Sequence, residues 1–131
     1  MLERTPSSLR LLSHILSRAQ LVEGGAIIWS SMTQSTQRQF QASDDDREGI
    51  IDQLFLTQGI EVAVLFIELK DGSTKISFRS HGSVDVASFA RGLTEHGGGH
   101  LRAAGANVNE PIDSTIRKVL AGLKSKVPAS F

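Results

Sequence analysis

The sequence predicts an α+β fold, α/β-like in its alternation, with a small mixed β-sheet flanked by helices. Three observations carry that expectation. Apolar residues recur at helical spacing in four separate segments. A nearly all-apolar run, "EVAVLFIEL", has the length of a strand. The "KDGS" that follows, with "TKISFRS" behind it, is a hairpin signature.

Thr5 before Pro6 reads as a cap and first helical position, and Leu9, Leu12, Ile15 and Leu16 make the buried stripe of a helix running to about Ala19. "GGAIIWSS" is a turn feeding a short strand, Ala26 to Ser31. "SMTQSTQRQFQAS" is polar and reads as a connecting loop. Ser43 with Asp44, Asp45 and Asp46 opens a second helix that carries Ile50, Ile51, Leu54 and Phe55 inward, since acidic residues suit the partial positive charge of a helix N-terminus. "EVAVLFIEL" is then a central strand, apolar enough to be buried on both faces, and "TKISFRS" its antiparallel return. Asp85 caps a third helix with Val86, Phe89, Ala90 and Leu93 on its inner side. A glycine loop follows, then a short strand near Gly105–Val108. The last helix starts at Ile112 or Asp113 and carries Ile116, Val119, Leu120 and Leu123.

A chain of 131 residues is about one domain's worth and large enough for a real core. Its formal net charge is zero, so no global field draws it towards nucleic acid or membrane, and any anion contact must come from a local cluster. Cysteine is absent, which removes disulfides, zinc–thiolate sites and thiol catalysis together and fits a reducing, cytoplasmic location. The opening "MLERTPSSLRLLSHIL" has no signal-peptide pattern, and no run approaches the roughly 20 apolar residues that span a bilayer.

The stretch with chemical content is "EHGGGHLRAAGANV". Glycines let backbone approach a ligand closely, and a glycine loop entering a helix start makes an anion site from exposed N–H groups. Gly97, Gly98 and Gly99 would form such a cradle, with His100 at its mouth able to donate to a phosphate oxygen. Arg79, at the end of "ISFRS", offers a planar fork suited to phosphate, and Ser77 and Ser80 beside it could add hydroxyl donors. Taken singly, each feature also fits a plainer role: a C-cap turn, a surface histidine, a solvated arginine. Their order, "SFRS", then a capped helix, then "GGGH…AAG", is far more specific.

In that order the segment Glu61 to Lys124 resembles the DHH-associated domain, subfamily 1, of DHH-family phosphoesterases. It is most similar to that of the bacterial bifunctional oligoribonuclease and 3′-phosphoadenosine-5′-phosphate phosphatase (nano-RNase) group. "ISFRS", "VDVASFA" and "HGGGHLRAAGANV" carry the likeness, and "LRLLSHIL…GGAIIWSSMTQ" resembles that group's connection out of its catalytic domain. Members often carry four glycines where this chain has three after His96. The resemblance implies two parts: residues 1–42 as a connecting helix and strand, and residues 43–131 as the DHH-associated, substrate-binding domain. It gives His100 and Arg79 the task of holding phosphate or a terminal nucleotide, with the three glycines as cradle and Ser80 and Arg102 as lesser contacts.

The family's catalytic metals, typically manganese, sit in a DHH domain on aspartates and an Asp-His-His signature. This chain's histidines are His14, His81, His96 and His100, no two adjacent, so that signature is missing. Asp44–Asp46, the sole acidic cluster, reads as a helix start, and no residue is assigned as a metal ligand. The expectation is therefore a C-terminal substrate-binding part of a phosphoesterase that acts on short RNA or a small nucleotide phosphate. Its partner is the catalytic DHH domain, the manganese belongs there, and this chain alone binds without turnover. A stand-alone nucleotide-binding or regulatory module, and an unrelated α+β interaction domain, stay open at this point.

Overall fold

The structure, a computed structural model, describes residues 3–127. In chain order the elements are α1 (Pro6–Ser17), β1 (Gln20–Val22), β2 (Ile27–Met32), α2 (Gln34–Gln39), α3 (Ile50–Phe55), β3 (Val62–Glu68), β4 (Thr74–Ser80), α4 (Val86–Leu93), β5 (Gly97–His100), β6 (Ala103–Val108) and α5 (Ile112–Lys124). The strands form one six-stranded sheet in the order β1-β2-β3-β4-β6-β5. Only β2 and β3 run parallel, joined through α2 and α3; every other pair is antiparallel, so the sheet is mixed as expected.

Central β3 is buried from Val62 to Ile67, and its alternating side chains seed two cores. Val62, Val64 and Phe66 join Ile76, Phe78, Ala104, Ala106 and Val108 beneath α4 and α5. Ala63, Leu65 and Ile67 join Ile28, Met32 and the inner faces of α1 and α3 (Leu11, Ile15, Ile50, Ile51, Leu54). Each such fully buried aliphatic or aromatic side chain contributes about 1.5–3 kcal/mol, which is what makes β3 the spine of the sheet. Both cores draw on β2 and β3, and β1 and β2 lie in the same sheet as the strands after residue 42.

The caps of α1 and α4 form as their sequences predict. Thr5 accepts from the Ser8 N–H at 3.0 Å, with Pro6 at the first helical position, and Asp85 accepts from the Ser88 N–H at 3.0 Å. The hairpin between β3 and β4 turns on Gly72 at φ 88°, and the Asp71 carboxylate accepts from the Ser73 N–H and hydroxyl.

Three local expectations are corrected. The polar segment after β2 is not all loop: Gln34–Gln39 is helical, with Thr33 capping it and no residue buried. Side-chain bonds hold it instead, Gln34 N–H to Glu68 Oε1 at 2.7 Å and Gln37 Nε2 to the Glu68 carbonyl at 2.8 Å, which is why no apolar periodicity announces it. The acidic trio does not open α3. Asp45–Arg47 is a separate single turn, Asp44 pairs with Arg47, Asp46 accepts from the Ser43 N–H, and α3 starts after Gly49, at φ 82°. Finally, the glycine run is not a loop but strand β5, at the sheet edge. No helix among the described residues is long and apolar enough to cross a membrane.

Candidate functional site

Alternation along β4 and β6 deals their side chains to two unlike surfaces. On one side lie Ile76, Phe78, Ala104, Ala106 and Val108, all within the core under α4 and α5. On the other, cross-strand rows run outward from the aliphatic residues of β3. They read Ala63–Arg79–Ala103–His100, Leu65–Ser77–Gly105–Gly98 and Ile67–Lys75–Asn107. On this side α1 and α3 pack over β2, β3 and the near edge of β4, and their core includes no residue of β4, β6 or β5. Half of the sheet is therefore left uncovered, floored by alanine and glycine and bordered by Lys75, Arg79 and His100. Beside it, between α3 and β4, a groove of about 330 Å³ is lined by Arg47, Ile51, Leu65, Lys75 and Ser77, among others.

Arg79 and His100 share one row, both opposite Ala103. Two strand steps separate their α-carbons by about 10 Å, within the reach of one phosphate held between two long side chains. Arg79 is not free to wander: its Nε donates to Asp52 Oδ1 of α3 at 3.1 Å and its Nη1 to the Phe78 carbonyl at 3.0 Å. Two edges of the guanidinium are thus anchored, and no protein acceptor among the described residues takes its Nη2. Asp52, distant in sequence, was not legible as part of this arrangement.

The cradle forms differently from the expected helix-entry loop. Asn107 N–H donates to the His96 carbonyl at 3.2 Å, and that bond sets the phase of the β5–β6 ladder. Residues 96, 98 and 100 exchange bonds with β6, while the peptide groups of Gly97 and Gly99 turn towards the open edge. The Gly97 N–H is taken by the Thr94 carbonyl, which leaves Gly99 as the outward donor beside His100. The glycines also serve packing. A Cβ on Gly97 would sit 2.1 Å from the Ala90 carbonyl oxygen, and one on Gly99 2.6 Å from that of Ala103, with Gly99 at φ 138°. At Gly98 the nearest atom is Arg91 Cγ, at 3.9 Å. The close approach is thus to the protein's own backbone at two of the three positions.

Ser80 is corrected as a substrate contact. It has the opposite parity to Arg79, is 1% exposed, donates to the Val84 carbonyl at 2.8 Å and accepts from the Gly82 N–H at 3.0 Å. Its hydroxyl is spent on the turn after β4. Ser77 has the parity of Arg79 and lies on the uncovered face, a distinction readable from the sequence by counting in twos. Arg102, in the two-residue turn from β5 to β6, lays its guanidinium over Gly82, so it flanks the row rather than joining it. Two residues beyond Arg79, the exposed His81 stacks on Phe55 of α3, ring centroids 4.3 Å apart and planes 27° apart. No group of three or more His, Asp or Glu among the described residues could hold a metal ion.

The fold has relatives among known proteins. Residues 25–127 match the model of the DHHA1 domain. The chain is 26% identical over 125 residues to the bifunctional oligoribonuclease and PAP phosphatase NrnA of Thermus thermophilus, covering 95% of this chain and 36% of that protein. An exopolyphosphatase-related protein from Bacteroides fragilis superposes with a TM-score of 0.84 at 24% identity, over 94% of this chain and 36% of that one. The pGpG-specific phosphodiesterase PggH from Vibrio cholerae does so with a TM-score of 0.63 at 10% identity, over 91% and 39%. The chain thus spans little more than a third of these relatives' length. A family model that covers most of the chain settles its membership: the chain belongs to the DHHA1 domain family.

Proposed function

We propose that this chain is the C-terminal, substrate-binding part of a DHH-family phosphoesterase acting on short RNA or a small nucleotide phosphate. Residues 1–42 lead from a catalytic DHH domain and residues 43–131 hold the substrate. The observation that carries the reading is the Arg79–Ala103–His100 row on the uncovered half of the sheet. A guanidinium anchored by Asp52 and an imidazole one phosphate-width away flank a floor of small side chains, with the Gly99 N–H at the open edge beyond it. Such a floor admits an anion, to which Arg79 offers the Nη2 that its bonds to Asp52 and the Phe78 carbonyl leave over. The manganese that such chemistry requires belongs to the DHH domain, and this chain supplies none of its ligands.

The test uses a protein joining this chain to a DHH domain. Charge-assisted hydrogen bonds contribute about 1.5–3 kcal/mol each, so Arg79→Ala or His100→Ala lowers kcat/KM on a dinucleotide by roughly ten- to a hundredfold. Arg117→Ala, on the exposed face of α5, leaves it unchanged. The chain by itself turns over no dinucleotide with manganese. Folded Arg79 and His100 variants at full activity would reduce the glycine strand to a packing device.

A further inference from the structure

We propose that Phe55 and His81 form a nucleobase platform beside Arg79, an inference that rests on the phosphate reading of Arg79 and adds to it a ligand class. Position comes first. Arg79 and His81 are two residues apart at the end of β4, about 7 Å along an extended chain, which is the separation needed to seat a ribose between a bound phosphate and a stacked base. Both engage the same helix: Arg79 bonds Asp52 and His81 stacks on Phe55, residues one turn apart on α3.

Chemistry is the second consideration. The two rings lie nearly parallel at 4.3 Å, and the imidazole is solvent-exposed, so its outer face is a flat aromatic surface backed by a second ring. Leu56, the residue after Phe55, is 75% exposed, the most exposed of the large hydrophobic residues among those described. The chain is only 5% aromatic and has no tyrosine, and the other aromatic side chains among the described residues pack differently. Phe66, Phe78, Phe89 and Trp29 belong to the core under α4 and α5, and the His14–Phe40 pair is tilted by 49° at 5.2 Å. Among the described residues, only the pair beside Arg79 is both stacked and open. A planar heterocycle is the ligand that such a surface takes, and stacking accepts any base because every base has a π-face. Arg79 then reads the phosphate and the platform reads that a base is attached, without choosing which.

The experiment compares ligands that differ only in the base. Adenosine 5′-monophosphate and ribose 5-phosphate are titrated into this chain, with affinities read from amide chemical shifts. The wild type binds the nucleotide about tenfold more tightly. His81→Ala and Phe55→Leu each remove that preference and leave ribose 5-phosphate affinity unchanged, and His81→Phe keeps it. Equal affinity for the two ligands in the wild type overturns the platform, as does a preference that survives both His81→Ala and Phe55→Leu. Arg79→Ala weakens both ligands alike. If it weakens neither while the base preference still depends on His81, the phosphate reading fails and the platform stands.

Discussion

The two faces of β4 and β6 share every backbone atom yet carry opposite chemistry. One presents Ile76, Phe78, Ala104, Ala106 and Val108 to α4 and α5; the other presents Lys75, Ser77, Arg79, Ala103, Gly105 and Asn107 to no helix beyond the near edge of β4. On β3 the contrast disappears, because both faces are covered and both are apolar. The sheet thus changes character across its width, from a buried spine to a half-open ledge. A two-sided sheet buries apolar rows on both faces, whereas a polar, glycine-floored row marks a surface kept for something other than the chain's own core.

The sharpest way to break that contrast is at the glycines. Gly97→Ala drives a Cβ to 2.1 Å from the Ala90 carbonyl, so α4 must shift off β5. A cost of about 3 kcal/mol, or a Tm lowered by roughly 10 °C, is expected. Gly99→Ala, at φ 138° and 2.6 Å from the Ala103 carbonyl, behaves similarly. Gly98→Ala meets nothing closer than 3.9 Å, so only backbone strain at φ 157° remains, about 1 kcal/mol. Thermal unfolding followed by circular dichroism separates them, and equal losses at all three positions would dissolve the packing account.

The serines sharpen the comparison, because neighbours on one strand end up on different faces. Ser80→Ala strips the turn of two hydrogen bonds and lowers stability by about 1–3 kcal/mol without altering nucleotide affinity. Ser77→Ala, on the ledge, leaves stability within about 0.5 kcal/mol. A Ser80 variant that folds normally but loses ligand would reverse the assignment of the two faces.

Among the described residues, one buried side-chain polar group is unsatisfied. Trp29 Nε1 is buried with no partner, while its ring meets Phe66 edge-on at 5.9 Å. Trp29→Phe removes the orphan donor and keeps the aromatic contact, so chemical denaturation finds a change within about 1 kcal/mol, in either direction. A larger loss would mean that the indole N–H matters to this core.

The smallest effect is expected at the hairpin. Bonds from the Ser73 hydroxyl and N–H hold the exposed Asp71 carboxyl below its ordinary value of 3.8. A carboxyl with a lowered folded-state pKa stabilises above its unfolded value and loses that contribution as pH falls through the folded one. The gap in stability between wild type and Asp71→Asn therefore stays constant at neutral pH and narrows only below about pH 4. A gap that narrows around pH 6 would point to a histidine instead.

Much of this was legible in the sequence, for identifiable reasons. Helices with apolar stripes and side-chain caps, such as α1 behind Thr5 and α4 behind Asp85, announce themselves locally, and so does a hairpin built on Asp71–Gly72. Helix α2 does not, because its bonds go to Glu68, thirty-odd residues away, and it buries nothing. Asp44–Asp46 looked like a helix start because three carboxylates suit one, but Gly49 intervenes and the trio closes a turn of its own. At the site, Arg79 and His100 could be named from the motif order, but their shared row follows from β6 inserting between β4 and β5, a fact of topology. Asp52 had no local signal, and Phe55 read only as an inward residue of its helix, since α3 meets the end of β4 only once the sheet is built.

The most direct test of the ledge as the ligand surface is a titration of 5′-phosphorylated diadenylate into the ¹⁵N-labelled chain. The account predicts that the largest amide shifts fall on Arg79, Gly98, Gly99, His100, Ala103 and Gly105, and that Arg79→Ala abolishes them. The contradicting result is a pattern centred on the pocket of about 390 Å³ on the opposite side, lined by Ser83, Ser88, Phe89 and Lys126 among others, with the ledge unmoved.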